Sequence, residues 1–172
     1  GQWARFGERL SALAQRMQDE GLRMAYHHHM GTVVQSAQDI DRLIEMKARV
    51  RLCKGAYPEP IDLAYPDKAD VDRAYVRCME RLMERGNYPG LATHDPRIID
   101  HARKFAREKN LDSSRYEFQM LYGVRRDLQD QLRAAGHNMR VYVPFGNQWY
   151  PYLMRRLAER PAHRELGIEP TG

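Results

Sequence analysis

The segment 149–160 carries the densest grouping of side chains suited to binding a small anion. Tyr152, Arg155, Arg156 and Glu159 follow at offsets of three and four, so on a helix they share one broad face. Two adjacent guanidinium groups can grip one carboxylate, because each offers a planar pair of donors that matches two oxygens. Glu159 can hold the arginines in place. The same residues also fit an ordinary solvated face with i,i+4 ion pairs.

A second group of candidates lies in and after two strand-like segments. Arg51 and Lys54 place two cations in one segment, and His94 follows another. The two cations have opposite parity, so on an ideal strand they point to opposite faces, and the alternation must break near Gly55 if both serve one ligand. By residue type alone, the cations also suit an edge strand defended by charge, and His94 suits a loop hydrogen bond.

Three consecutive histidines, His27 to His29, end another strand-like segment. Neutral imidazoles at that position could bind a polyol or a divalent metal ion. Because neighbouring strand residues alternate in direction, at most the first and third histidines share a face, and no partnered carboxylate accompanies them. We therefore expect no metal site.

Helical and strand-like segments alternate along the chain, which is the pattern of a parallel βα protein. Helices are predicted over 3–19, 36–46, 70–85, 97–109, 127–135 and 149–160. Strands are predicted over 22–28, 49–57, 90–93, 116–121 and 139–144. A (β/α)8 TIM barrel normally needs about 250 residues. The predicted fold class is therefore α/β, a partial (β/α)8 TIM-barrel-like fold of about five βα units with parallel strands.

The amino-acid composition limits which binding partners and which cellular compartment we expect. The 172 residues include 42% hydrophobic ones and carry a formal net charge of +5, enough apolar material for one core. Basic residues are spread along the predicted helices, which favours phosphate-bearing ligands and argues against a nucleic-acid partner. Two cysteines without metal spacing suit a reducing compartment. No stretch approaches the roughly 20 apolar residues that span a bilayer, so we expect a cytoplasmic protein, with peripheral membrane contact as an option.

Four motifs resemble the proline dehydrogenase family, in the order in which that family carries them. The motifs are RVRLCKGAY at 49–57, ATHD at 92–95, YEFQMLYG at 116–123, and the run from Arg140 to Glu159. The resemblance covers about residues 47–162. It implies the C-terminal part of that family's barrel, with FAD as the cofactor and proline or a related small carboxylate as the substrate.

The resemblance also implies roles for the matching residues. It assigns Arg51 to the reactive edge of the flavin, where a fixed cation stabilises the negative charge left by hydride transfer. The cofactor-binding residues it implies are Arg51, Lys54, Gly55, Ala56, Tyr57, Thr93, His94, Asp95 and Gln119. The substrate-binding residues it implies are Leu121, Tyr142, Tyr152, Arg155, Arg156 and Glu159. The catalytic candidates among these are Arg51, Tyr142 and Tyr152, and a quinone-type electron acceptor is implied.

The leading segment resembles a different barrel family, inosose dehydratase, through residues 24–32 and 41–43 and back toward Trp3. The change of resemblance near Met46 and Lys47 suggests a chimera. We expect one domain composed of a leading unit (1–46), the βα units (47–162) and a polar tail (163–172).

Three functions are open at this point. The first is FAD-dependent oxidation of L-proline to 1-pyrroline-5-carboxylate by the chain or by an enzyme of which it is a fragment. The second is an inactive chimeric fragment that folds and forms a homodimer through open sheet edges. The third is sugar or polyol chemistry from the histidine segment.

Overall fold

A computed structural model of the chain describes residues 2–21, 37–54, 65–143, 150 and 154. The helices are α1 (Gln2–Asp19), α2 (Ala37–Glu45), α3 (Lys68–Arg85), α4 (Pro96–Glu108) and α5 (Arg126–Ala134). The strands are β1 (Arg51–Leu52), β2 (Gly90–Ala92), β3 (Glu117–Leu121) and β4 (Met139–Tyr142). A short 3-10 helix, Ser113–Arg115, precedes β3. Within these ranges no helix combines the length and the apolar character needed to cross a membrane.

The four strands form one sheet in chain order, and every neighbouring pair is parallel. Helices α3, α4 and α5 connect successive strands, so the described part of the chain consists of repeated βα units. This arrangement confirms the predicted α/β class and is that of a segment of a (β/α)8 barrel. The predicted strand 22–28 lies outside the described residues, as does the helix 149–160 apart from Tyr150 and Met154, which are both helical.

The predicted boundaries agree with the described helices and with three of the four strands to within two residues. Strand β1 is the exception, because it is predicted over 49–57 and pairs with β2 at Arg51 and Leu52. Residues 55–57 of the predicted strand lie outside the described part of the chain.

Alternation along the strands separates an apolar face from a polar one. Leu52, Leu91, Phe118 and Met120 point to the helical side and are each at most 4% exposed. They join one core with buried residues of the helices. That core includes Ile40, Leu43 and Ile44 of α2, Tyr75, Met79, Leu82 and Met83 of α3, Ile98, Ile99, Ala102 and Ala106 of α4, and Leu128 and Leu132 of α5. The helices thus cover one face of the sheet and leave the other for the candidate site.

Helix α3 buries a different stripe from the one that its spacing predicted. Helical spacing places Val71, Ala74, Cys78 and Leu82 on one side of this helix and so predicts that they form its apolar stripe. The buried residues are Tyr75, Met79, Leu82 and Met83. Turning the larger side chains toward the sheet buries more apolar area, and burial of such area stabilises the fold in proportion.

Truncation of this stripe tests how the core is organised. We expect Leu82→Ala, at a position with no exposed side-chain surface, to lower the free energy of unfolding by about 2–5 kcal/mol because it leaves a cavity. The matched control is Leu13→Ala on α1, where the side chain is 47% exposed and the cost should stay below about 0.5 kcal/mol. Urea denaturation measures both, and equal losses would contradict the described core.

Candidate functional site

The polar face of the sheet holds the candidate site. The parallel register aligns Arg51 with Gly90 and Glu117 in one row, and Gln119 with Arg140 in the next. Aligned residues of parallel strands point to the same side of a sheet. Side chains from β1, β3 and β4 therefore meet on this face, above a glycine in β2.

These side chains form a continuous set of hydrogen bonds, which we call the inner-face network (Arg51, Gln119, Glu117, Arg140). Arg51 Nε donates to Gln119 Oε1 at 2.7 Å, and Gln119 Nε2 donates to Glu117 Oε1 at 2.6 Å. Arg140 donates to both oxygens of Glu117, at 2.5 and 2.9 Å. Glu117 is only 6% exposed and Gln119 only 9%. The network thus links the first described strand to the last through two buried side chains.

Glu117 is buried and nevertheless ionised. Burial alone would raise its pKa, but the hydrogen bonds from Arg140 and Gln119 outweigh that effect and hold the pKa below its ordinary value of 4.5. Tyr88 lies near this carboxylate, and the pKa of Tyr88 is raised by its own burial and by that negative charge. At neutral pH the network therefore contains one carboxylate between two guanidinium cations, since arginine does not deprotonate in proteins.

Gly90 provides the space that Gln119 occupies. A Cβ atom at this position would lie 2.3 Å from Gln119 Nε2 and 2.8 Å from its Cδ, far inside van der Waals contact. The amide of Gln119 therefore packs directly over the backbone of β2. A glycine at the start of β2 is a requirement of the site.

The segment that follows β2 is held by hydrogen bonds to β3 and α4. Thr93 Oγ1 accepts from the Asp95 N–H at 3.1 Å, and the Asp95 carboxylate accepts from the Arg97 N–H at 3.0 Å, which caps α4. His94 Nε2 accepts from the Leu121 N–H at 2.9 Å. These contacts position Thr93, His94 and Asp95 at the carboxyl edge of the sheet.

Lys54 lies on the opposite side of the sheet from Arg51, as the parity of the two residues predicts. Its Nζ atom is 2.5 Å from the Asp72 carboxylate and 3.5 Å from that of Asp95, and its side chain is 11% exposed. Lys68 contacts the same Asp72 at 2.6 Å. Burial alone would raise the pKa of Asp72, but its bonds with the two lysines outweigh burial and lower it. The break in strand alternation predicted near Gly55 lies outside the described residues.

The structure brings together only part of the predicted set. Arg51 and Gln119 are in contact, and Leu121 and Tyr142 are aligned on the same face, with Tyr142 45% exposed. Several predicted residues lie outside the described ranges: Gly55, Ala56, Tyr57, Tyr152, Arg155, Arg156 and Glu159, as well as His27 to His29. Within the described ranges no group of three or more histidine, cysteine or acidic residues could hold a metal ion.

Two members of the inner-face network, Glu117 and Arg140, were not predicted as site residues. A usable signal was present, because Glu117 precedes Gln119 by two positions and so shares its face of the strand. A carboxylate within a buried apolar strand also needs a partner, since an unpaired buried charge is very costly. The identity of that partner, Arg140, depends on which strand lies alongside.

Comparison with known proteins places the chain among proline dehydrogenases. The model of the family described as "Proline dehydrogenase" matches residues 21–165, and so begins upstream of the segment 47–162 that the motifs delimited. The chain is 49% identical over 146 residues to the proline dehydrogenase of Deinococcus radiodurans, a match that covers 82% of this chain and 47% of that protein. The chain thus spans about half the length of the curated relatives that it matches.

Two further similarities are to a solved structure and to a second curated protein. The crystal structure of proline utilization A (PutA) from Bdellovibrio bacteriovorus inactivated by N-propargylglycine superposes with a TM-score of 0.64 at 31% identity, covering 70% of this chain and 15% of that one. The rhizopine catabolism protein MocC of Rhizobium meliloti is 42% identical over 45 residues, which is 26% of this chain and 14% of that protein.

Substitution of Gly90 tests the packing of the site. We expect Gly90→Ala to lower the free energy of unfolding by about 1–3 kcal/mol, because the added methyl group displaces the bonded amide of Gln119. In a Gln119→Ala background, where nothing opposes the methyl group, the same substitution should cost less than half as much. Equal costs in the two backgrounds, measured by urea denaturation, would show that Gln119 is not the obstacle.

Proposed function

Since the chain belongs to the proline dehydrogenase family, we propose that it is the flavin-side half of a barrel that oxidises L-proline to 1-pyrroline-5-carboxylate with FAD. The observation that carries this proposal is the partly buried hydrogen bond between Arg51 and Gln119 on the polar face of the sheet. These are two of the residues that the motif resemblance assigns to the flavin. The proposal concerns an activity of the whole enzyme, of which this chain supplies about half the length.

The residues of the polar face fit a planar ring system with developing negative charge. The side-chain oxygen of Gln119 accepts from Nε of Arg51 and so fixes the guanidinium group. The terminal nitrogens of this guanidinium carry further N–H donors. Gly90 leaves no side chain between the strands at this point. FAD, when bound, accepts the hydride from the substrate carbon. The role of Arg51 is to hold a positive charge at the place where negative charge accumulates.

The carboxyl edge of the sheet is assigned to the rest of the cofactor. Thr93 and His94 lie next to the first turn of α4, and helix N-termini favour phosphate groups. Lys54 lies beside Asp95, the residue that caps this helix. We assign Thr93, His94 and Lys54 to the phosphate-bearing portion of FAD, and Asp95 to holding this segment in place. Gly55, Ala56 and Tyr57 join this assignment through the motif resemblance alone.

The substrate is assigned to the same edge, beside β3 and β4. Leu121 and Tyr142 are aligned there in register, and Tyr142 is well exposed. The motif resemblance adds Arg155 and Arg156 as the pair that binds the proline carboxylate, with Tyr152 and Glu159 completing the pocket. A paired guanidinium site suits a carboxylate because it offers matched planar donors.

The electron acceptor, assembly and location extend the same proposal. A quinone-type acceptor follows from the family resemblance. A homodimer through β1 and β4, the outer strands of the described sheet, belongs to the alternative of an inactive fragment, because in a closed barrel those edges pair with further strands. A cytoplasmic location is supported by the low cysteine content, and peripheral membrane contact stays an expectation.

A separate origin for the leading segment is a second proposal. The similarity to MocC supports it through its length of 45 residues, which is close to that of the segment 1–46. The proline dehydrogenase match that begins at residue 21 weighs against a junction as late as Met46 and Lys47. The fold crosses that junction without a break, because Ile40 and Leu43 on one side and Val50 on the other belong to the same core. If residues 1–46 come from another barrel, they therefore occupy the position that the corresponding unit of this barrel would occupy.

Flavin binding and reduction test the proposed function. The purified protein should show flavin absorbance, by itself or after addition of FAD, and proline should bleach it. We expect Arg51→Met to slow this bleaching at least about 100-fold, because a charge that stabilises the transition state is lost. The control Arg133→Met removes an arginine whose side chain is 81% exposed on α5 and should leave the rate unchanged. A flavin band that proline bleaches equally fast in both variants would contradict the role of Arg51.

Replacement of the leading segment tests its origin. If residues 1–46 are foreign to this barrel, exchange for the corresponding segment of the Deinococcus radiodurans relative should tighten FAD binding several-fold, since neighbouring βα units complete one another's surfaces. A titration of flavin fluorescence measures the dissociation constant. Unchanged binding would contradict a separate origin.

A further inference from the structure

Glu117 occupies the centre of the inner-face network although it does not contact Arg51. Its carboxylate accepts from Gln119 on its own strand and from Arg140 on β4. Arg51, on β1, is reached only through the amide of Gln119. The network therefore offers a route by which a buried carboxylate can control the position of a guanidinium on another strand.

The direction of the Gln119 amide is the step that such control requires. A glutamine amide has a donor end and an acceptor end, which differ little in shape. An ionised carboxylate only accepts, so Glu117 turns the NH2 end toward itself and leaves the oxygen for the N–H of Arg51. The reversed amide would put donors against donors at Arg51. The observed bonds, at 2.6 and 2.7 Å, are those of the first arrangement.

Glu117 is itself held firmly enough to act in this way. Arg140 binds both of its oxygens, which gives a bidentate, charge-assisted contact. The ring of Tyr88 lies near the same carboxylate and under the guanidinium of Arg49, whose Cζ atom is 4.6 Å from the ring centroid. The carboxylate is thus bound from its own strand and from β4, which leaves it little freedom to turn.

We propose that Glu117 is a positioning residue for Arg51: by orienting the amide of Gln119, it sets the place of the guanidinium that faces the flavin. The proposal rests on the proposed function for the flavin itself, whereas the orientation of Arg51 is a property of this chain alone. Arg140 serves the same purpose one step further away, by keeping Glu117 in place.

The midpoint potential of bound FAD distinguishes positioning from a simple charge effect. In Glu117→Gln the amide of Gln119 loses its fixed direction, Arg51 moves, and the reduced flavin loses a stabilising charge, so we expect a more negative potential. Loss of the negative charge of Glu117 alone would act in the opposite sense and make the potential more positive. A potential that is unchanged or more positive would overturn the proposal.

A second background shows whether Glu117 acts through Gln119. We expect Gln119→Leu to lower the potential by itself, because Arg51 loses its acceptor. In that background Glu117→Gln should no longer lower the potential, since only the charge effect remains. A further lowering would contradict the route through the amide. The control Glu108→Gln, which neutralises a carboxylate 57% exposed on α4, should leave the potential unchanged.

Crystal structures of the FAD-free protein separate this proposal from the proposed function. If neither the protein nor its variants bind FAD, the proposed function is contradicted. The distance between Arg51 Nε and the Gln119 amide still tests whether Glu117 positions Arg51. We expect the 2.7 Å contact to be lost in Glu117→Gln, and its retention would overturn the proposal. Should that variant not fold, the exchange E117Q/Q119E decides, because a carboxylate at position 119 accepts from Arg51 in either orientation. Arg51 should then keep its place, and its displacement would count against the proposal.

Discussion

A carboxylate buried in the middle of a sheet face has to be paired, and this constraint organises the polar side of the protein. Glu117 is 6% exposed and receives two hydrogen bonds from Arg140 and one from Gln119. Removing Arg140 would leave this buried carboxylate without the cation that contacts it, which costs far more than a surface ion pair contributes. That pairing sets the positions of Gln119 and Arg51. Gln119 donates through its NH2 group to Glu117, and its oxygen is therefore left to accept from Arg51.

One face of the sheet belongs to the apolar core that stabilises the fold, and the other carries the polar residues of the candidate site. Phe118 and Met120 alternate with Glu117 and Gln119 along β3, so one strand supplies both the core and the network. Lys54 illustrates the same division at the carboxyl edge, where it turns away from Arg51 and pairs with Asp72 of α3. A substitution that shifted the register of β3 by one residue would exchange the two faces and disrupt both at once.

Comparison with whole proline dehydrogenases indicates where the polar face of the sheet would lie in a closed barrel. The chain spans about half the length of its curated relatives, and a closed barrel places the inner faces of all its strands around one interior. A polar face that in this chain is built from β1, β3 and β4 would form part of that interior. The buried carboxylate of the inner-face network is paired with Arg140 within the described strands, and so does not depend on the rest of a barrel for its pairing.

The sequence by itself determined the βα order, most element boundaries, the motif resemblance and the opposite directions of Arg51 and Lys54, because these depend on local period, turn residues and strand parity. It did not determine which residues of the segment 49–54 pair with β2, or the buried stripe of α3, which turned Tyr75 toward the sheet in place of Val71. Nor did it identify the network, since Glu117 and Arg140 are 23 residues apart. Their contact exists because β3 and β4 lie side by side in parallel, and adjacency between strands is a property of the tertiary fold that no local pattern in the chain encodes.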